Sequence, residues 1–146
     1  MSRWQRQQGC WCLWPASAQG LVEFIGGSYL ATNPQISYRR LLEGLAARQL
    51  AVHAWSYVPG FDHQLQAREA WQVLRTCRAA LNQRLGQDLV PVRVGHSLGC
   101  KLHLLAPDGG RNSLGMAALS FNNFTAERSI PLLGTLAPSL GVVTEF

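Results

Sequence analysis

The sequence predicts an α/β protein, a three-layer α/β/α sandwich built around a mostly parallel sheet. Short apolar runs alternate along the chain with stretches of helical periodicity, and turn-forming Gly, Pro, Asn or Asp separate them. Of the 146 residues, 47% are hydrophobic and 14% are charged, which is enough apolar sequence to bury a core. We therefore expect one domain over residues 1–146.

The first 50 residues contain two predicted strands and one predicted helix. Residues 10–14 and 21–25 are short apolar runs bounded by turn residues, and their spacing indicates a hairpin or a neighbouring pair. Residues 35–48 are predicted to form a helix. Apolar side chains recur there at the intervals that place them on one helix face, at Tyr38, Leu41, Leu42, Leu45 and Ala46.

The next two elements are a buried strand and a long helix. Residues 51–58 are almost continuously apolar, which is typical of a parallel strand covered on both faces. Asp62 is then suited to cap a helix at its N-terminus, apolar positions recur as far as Leu85, and Gly86 follows as a C-terminal cap. The sequence therefore predicts a long helix between these two caps.

The remaining elements are shorter. A strand is predicted over residues 89–94, with Pro91 near its start, where a missing amide proton is tolerated. A helix over residues 98–105 and a strand over residues 116–121 follow. Residues 127–133 have a helical pattern that an internal proline interrupts.

One motif carries candidate chemistry, and it reads Gly95-His96-Ser97-Leu98-Gly99. A serine on a sharp strand-to-helix turn is the nucleophile elbow of α/β-hydrolases, and glycines two residues before and after it let the turn pass close to its neighbours. The predicted strand before the motif and the predicted helix after it are the context that this motif requires. The motif predicts Ser97 as a nucleophile, and the alternative is a glycine-rich turn without chemistry.

An oxyanion hole is predicted on two sides of Ser97. The amide of Leu98 is the natural first donor, because the first amides of a helix have no intrahelical acceptor. Gly26-Gly27-Ser28 follows an earlier strand and is predicted to supply the second donor, since glycine lets the backbone approach a substrate oxygen. The alternative for these three residues is a plain tight turn.

The rest of a catalytic triad is hard to find. In this fold the acid and the histidine follow the serine along the chain. The histidine that follows Ser97 is His103, six residues on in the same predicted helix and about 240° around it, so it cannot serve. None of the later acids directly follows a clear buried strand, and they are Asp108, Glu127 and Glu145.

His63 is the remaining candidate base. It follows the strand over residues 51–58 by a short loop, and in a parallel sheet that loop opens on the same edge as Ser97. The alternative is a surface histidine in the first turn of a helix. His53 and His96 are interpreted as packing residues.

Composition argues against several classes of protein. No apolar run reaches the roughly 18 residues of a membrane span, and no apolar segment follows the basic start, so we expect a soluble cytoplasmic protein. The net charge of +5 comes from scattered arginines, which argues against nucleic-acid binding. The four cysteines lack metal-site spacing, so we expect reduced thiols, no metal and no cofactor.

With these residues laid out, the chain resembles DUF1350, a family of unknown function found in cyanobacteria and chloroplasts and assigned to the α/β-hydrolase superfamily. The resemblance covers most of residues 21–124 and implies an α/β-hydrolase-type sheet and a cyanobacterial source, but no substrate. Because family members are longer and the chain ends within apolar sequence, we expect the domain to be incomplete at its C-terminal end. The similar segments are 22–28, 34–39, 60–63, 95–103 and 119–123.

Three functions are consistent with the sequence. The first is a serine esterase or lipase-like acyl hydrolase of a small-molecule or lipid ester, in which Ser97 attacks and the base and acid lie beyond the chain. The second is a non-catalytic α/β-hydrolase-fold module for binding or assembly in a photosynthetic organism. The third is catalysis by Ser97 with His63 as an unusual base, which requires the two side chains within hydrogen-bond reach. The sequence leaves the oligomeric state open.

Overall fold

The computed structural model describes residues 2–121, and six strands and four helices lie within them. The strands are β1 (Trp4–Gln7), β2 (Cys10–Leu13), β3 (Gly20–Ile25), β4 (Leu50–Trp55), β5 (Pro91–His96) and β6 (Gly115–Leu119). The helices are α1 (Pro34–Ser37), α2 (Arg39–Ala46), α3 (His63–Leu85) and α4 (Leu98–Leu104), with a 3-10 turn over Leu30–Thr32. The predicted helix over residues 127–133 and the expected C-terminal incompleteness lie outside the described residues.

The six strands form one mixed sheet in the order β1-β2-β4-β3-β5-β6. The pairs β1–β2 and β2–β4 are antiparallel, whereas β4, β3, β5 and β6 run parallel to one another. The predicted pairing of the first two apolar runs is wrong, because β4 lies between β2 and β3. β4 hydrogen-bonds to both of these strands, antiparallel to β2 and parallel to β3.

Helices cover both faces of the sheet and give the predicted three layers. On one face, α2 packs against alternate residues of the central strands, among them Val22, Phe24 and Val52. On the other face, α3 and α4 pack against Cys10, Cys12 and Ile25. Both faces of β3 and β4 are therefore buried, which explains why these two strands read as nearly continuous apolar runs.

The long helix α3 has the predicted ends. The carboxylate of Asp62 accepts a hydrogen bond from the amide of Leu65 at 3.0 Å, and Gly86 ends the helix in the left-handed conformation with φ 68°. Both predicted caps are confirmed. No helix within residues 2–121 is long and apolar enough to cross a bilayer.

Two further predictions differ from the structure. The expected helix over residues 35–48 is divided at Tyr38, whose backbone leaves the helical region with φ −115° and ψ 20°. Its ring instead packs edge-on against Phe24, with 4.6 Å between ring centroids. The edge strand β1 was not predicted, because the polar sequence Trp4–Gln7 has no apolar alternation.

Candidate active site

Ser97 is the single residue between the end of β5 and the start of α4. Its backbone has φ 53° and ψ −119°, a conformation that costs a residue with a side chain about 1–3 kcal/mol. The amide of Ser97 donates a hydrogen bond to the carbonyl of Leu119 at 2.9 Å, which ties the turn to the end of β6. The surrounding structure therefore holds the strained turn in place.

The two glycines of the motif are required by close packing. A β-carbon at Gly95 would lie 2.7 Å from the backbone nitrogen and α-carbon of Cys100. A β-carbon at Gly99 would overlap the carbonyl oxygen of Ile25 at the end of β3. Because both obstacles are backbone atoms, no side chain can move aside, and α4 can cross the sheet this closely only with glycine at both positions.

The loop after β3 lies directly against Ser97. A β-carbon at Gly27 would be 3.2 Å from the β-carbon of Ser97 and 3.2 Å from Nδ1 of His96. The carbonyl of Gly27 accepts a hydrogen bond from the amide of Ala31 at 3.1 Å, which starts the 3-10 turn. The structure thus brings together two segments, Gly26–Gly27 and Ser97–Leu98, that are some 70 residues apart in the chain.

The predicted oxyanion donors differ in their availability. The amide of Leu98, the first residue of α4, makes no hydrogen bond within residues 2–121. The amide of Gly27 is already engaged, since it donates to the hydroxyl of Tyr38 at 2.8 Å. The carbonyl of Gly26 is also engaged and accepts from the hydroxyl of Tyr57 at 2.7 Å. Of the two amides, only that of Leu98 has no acceptor within residues 2–121.

The hydroxyl of Ser97 has no structural role in the described part of the chain. A serine at the start of a helix commonly accepts a hydrogen bond from an amide of the first turn. Ser97 does not cap α4 in this way, and its side chain is only partly buried. Capping therefore does not occupy the hydroxyl.

None of the four histidines hydrogen-bonds to Ser97. Nε2 of His53 accepts from the indole of Trp14 at 2.8 Å, Nδ1 of His96 lies 2.8 Å from the hydroxyl of Tyr38, and Nε2 of His103 donates to the carbonyl of Val94 at 3.2 Å. His53 and His103 are buried, and burial lowers their pKa values to about 4 and about 3. Both are therefore neutral near pH 7.

His63, the predicted base, is fully buried at the start of α3. The surface alternative considered for it is therefore wrong. Burial, together with the charge of Lys101, lowers the pKa of His63 to about 4. Neither ring nitrogen has a hydrogen-bond partner within residues 2–121, so the structure does not join His63 to Ser97.

Two buried ion pairs, not predicted from the sequence, join β3 to α3 and β5 to the segment after α4. The guanidinium of Arg78 donates to the Glu23 carboxylate at 2.9 and 3.1 Å, and Arg93 pairs with Asp108 at 2.8 and 2.6 Å. Burial raises the pKa of Glu23, whereas hydrogen bonds from Arg93 hold that of Asp108 well below its usual range. The signal was present, because a glutamate within an otherwise apolar strand needs a buried partner.

From the sequence, we expect reduced thiols and no metal site. Within residues 2–121, no three side chains of His, Cys, Asp or Glu lie close enough together to hold a metal ion. All four cysteines are free and buried. The acid considered after Ser97 in the described residues, Asp108, is engaged with Arg93 and is not paired with a histidine.

Comparison with known proteins bears on the fold and the family. The profile of the family described as "Protein of unknown function (DUF1350)" matches residues 3–146. No curated protein shows significant sequence similarity to the chain. Solved structures with a similar fold include TT1662 from Thermus thermophilus, with a TM-score of 0.56 and 20% identity over 85% of this chain and 58% of that one.

A lipase solved in its open form is also similar, with a TM-score of 0.54 and 22% identity over 91% of this chain and 46% of that one. The chain thus spans about half the length of these two proteins. At such identities the likeness concerns the fold alone, and it confirms the predicted fold class, a sandwich of the α/β-hydrolase type.

Proposed function

Since the chain belongs to the DUF1350 family, whose function is unknown, we propose from its geometry that it is a serine hydrolase with Ser97 as the nucleophile. The observation that carries this proposal is the backbone of Ser97, with φ 53° and ψ −119° between β5 and α4. Strain of this kind persists only where the surrounding structure maintains it, and it is concentrated at functional sites.

A second observation supports the proposal. A serine with a purely structural role at the start of a helix would be expected to accept a hydrogen bond from an amide of the first turn. The Ser97 hydroxyl makes no such bond to α4. Glycines at 95 and 99 let the turn pass against β3 and α4 so closely that a β-carbon would not fit. This geometry supports a nucleophile elbow, in which the strand-to-helix turn presents the serine hydroxyl at the edge of the sheet.

The chemistry proposed is acyl transfer from an ester. Ser97 Oγ attacks the carbonyl carbon, its proton passes to a base, and the amide of Leu98 donates to the oxyanion of the tetrahedral intermediate. Collapse of the intermediate expels the alcohol and leaves an acyl-serine. A water molecule then attacks the acyl-serine, releases the carboxylic acid and restores Ser97. A small-molecule or lipid ester is the substrate class that fits this reaction.

The base is proposed to lie outside these 146 residues. All four histidines of the sequence lie within the described part, and each is either bonded elsewhere or buried without a partner. An enzyme that lacks its triad histidine keeps only the residual catalysis of the oxyanion hole and of substrate binding. The polypeptide by itself should therefore react slowly at Ser97.

One alternative function has an observation in its favour. Within residues 2–121, no base is hydrogen-bonded to Ser97. A non-catalytic module for binding or assembly would also lack such a base. In that case the strained turn would be a feature of the fold retained without chemistry. The two functions predict different reactivity at Ser97.

Labelling with a fluorophosphonate tests the proposal, because this reagent reacts with activated serines. The chain, its Ser97→Ala variant and the full-length gene product should be compared. We expect the full-length protein to label and the label to disappear with Ser97→Ala, while this chain labels weakly. If no form labels, the proposal fails and the non-catalytic module is favoured.

A further inference from the structure

The Tyr38 hydroxyl connects the two segments that meet at Ser97. It accepts a hydrogen bond from the amide of Gly27 at 2.8 Å, and it lies 2.8 Å from Nδ1 of His96, the residue before Ser97. We propose that Tyr38 is a positioning residue of the candidate active site, which holds Ser97 against the Gly26–Gly27 loop and fixes the tautomer of His96. This inference rests on the proposed function for its catalytic consequence.

The packing around Tyr38 leaves its ring little freedom. The ring contacts Phe24 edge-on at 4.6 Å between centroids and His96 at 5.6 Å. A β-carbon at Gly26 would lie 2.5 Å from a ring carbon of Tyr38, so the loop backbone lies directly on the ring. Packing against Phe24, His96 and Gly26 therefore fixes the position of the hydroxyl independently of its hydrogen bonds.

Proton counting then identifies the tautomer of His96. A phenol has one proton to donate, and within residues 2–121 the Tyr38 oxygen has no third hydrogen-bond partner. If the phenol donates to Nδ1, then the Gly27 amide, the phenol proton and the imidazole lone pair are all satisfied. If Nδ1–H donated instead, the phenol proton would have no acceptor among these residues. Satisfaction of all three groups thus requires His96 to carry its proton on Nε2.

The phenol is suited to this role at ordinary pH. Burial raises the pKa of Tyr38, so the hydroxyl retains the proton that it donates. The residue that links Gly27 to His96 is also the residue that separates α1 from α2. Tyr38 leaves the helical backbone region where the chain turns, and its side chain reaches into the site.

A catalytic consequence follows for Ser97. His96 precedes Ser97 directly, so fixing its ring restricts the turn. The hydrogen bond from the Gly27 amide to Tyr38 holds the facing loop, where an added β-carbon would lie 3.2 Å from the β-carbon of Ser97. Displacement of a reacting group by about 1 Å can lower a rate by 10²-fold. Loss of the Tyr38 hydroxyl should therefore slow the reaction of Ser97 by about 10- to 100-fold.

The test combines nitrogen NMR of the histidine rings with fluorophosphonate labelling in the full-length gene product. Tyr38→Phe removes the hydroxyl and keeps the ring. Tyr57→Phe is the matched control, because it removes a buried hydroxyl that donates to Gly26 on the same loop, whereas the hydrogen bond to His96 comes from Tyr38. Spectra of all forms are recorded at the same alkaline pH, and the tautomer of His96 is read from the shifts of its two ring nitrogens.

We expect His96 to carry its proton on Nε2 in the wild type, Tyr38→Phe to change its nitrogen shifts, and Tyr57→Phe to leave them unchanged. Labelling of Ser97 should slow about 10- to 100-fold in Tyr38→Phe. His96→Phe should slow labelling to a similar extent, and the double variant should be no slower than either single one. Non-additivity of this kind is expected where two side chains act through one shared contact.

The outcomes separate this inference from the proposed function. A His96 spectrum that Tyr38→Phe leaves unchanged overturns the relay, whatever the labelling gives. Ser97-dependent labelling that proceeds at the wild-type rate in Tyr38→Phe overturns the positioning role and leaves the proposed hydrolase intact. If no form labels, the hydrolase fails and the catalytic role of Tyr38 fails with it, while the spectrum still decides whether the relay exists.

Discussion

The α-carbon of Gly99 lies so close to the carbonyl oxygen of Ile25 that a β-carbon would overlap it. Gly99→Ala is therefore expected to lower the free energy of unfolding by about 3 kcal/mol, the upper part of the range for overpacking, because a backbone carbonyl cannot rotate away. Urea denaturation measures the change. Gly44→Ala is the matched control within α2, where alanine should raise stability by about 0.5–1 kcal/mol. A Gly99→Ala protein as stable as the wild type would contradict the packing at this turn.

Ser97→Gly should stabilise the protein. Glycine adopts a positive φ without the steric penalty of a β-carbon, and we expect a gain of about 1 kcal/mol after the greater entropy of glycine in the unfolded chain is subtracted. Ser97→Ala keeps the β-carbon and should keep the strain, so it serves as the control. Both variants should lose any labelling at Ser97. Equal unfolding free energies for the two variants would argue that the turn is not strained.

Removal of Arg93 should destabilise the protein strongly. Arg93→Met leaves the Asp108 carboxylate buried without the two hydrogen bonds from the guanidinium, and breaking a buried ion pair in this way costs about 3–5 kcal/mol. Arg39→Met is the control, since Arg39 pairs with Glu43 on the surface of α2 and such pairs contribute about 0.3–0.5 kcal/mol. Chemical denaturation of both variants gives the comparison. Similar losses of unfolding free energy in Arg93→Met and Arg39→Met would mean that burial does not strengthen the contribution of the Arg93–Asp108 pair.

Stability should fall as the pH is lowered from about 7 to about 5. His63 has a pKa of about 4 in the folded protein, below the ordinary value of 6.5, so the unfolded chain binds a proton through this range while the folded protein does not. Unfolding therefore becomes easier by up to about 1.4 kcal/mol per pH unit for each such histidine, and His53 and His103 act in the same direction.

The contribution of His63 can be isolated by substitution. His63→Met removes the titrating ring at a site where neither nitrogen has a partner within residues 2–121. The difference in urea midpoint between pH 7.5 and pH 5.5 should be smaller in His63→Met than in the wild type. The raised pKa of Glu23 acts in the opposite direction in both proteins and therefore does not affect the comparison. An unchanged difference would mean that the pKa of His63 is the same in the folded protein as in the unfolded chain.

Local features of the sequence predicted the elements that depend on local physics. The caps of α3 at Asp62 and Gly86 and the position of Ser97 between a strand and a helix follow from residue type and spacing. Helix caps and glycine turns depend on hydrogen bonds and dihedral angles within a few residues. For this reason a single sequence was sufficient to predict them.

Contacts between distant segments were not predictable in the same way. The insertion of β4 between β2 and β3 depends on ladders such as Cys12 opposite His53, which pair residues about 40 positions apart. His63 has the sequence of a first-turn surface histidine, yet the fold buries it near Lys101 of α4. Periodicity describes which face of an element is apolar, but it does not identify what covers that face.

By itself, the sequence determined the α/β class, the long helix, the glycine-flanked serine and the loop of glycines that meets it. Tertiary structure alone decided that the Gly27 amide donates to Tyr38, that Tyr38 also reaches His96, and that no histidine of residues 2–121 bonds to Ser97. The physical reason is the separation along the chain of the residues that interact. Backbone conformation and helix capping depend on neighbours in the chain, whereas hydrogen-bond partners and burial depend on which distant segments the fold brings together.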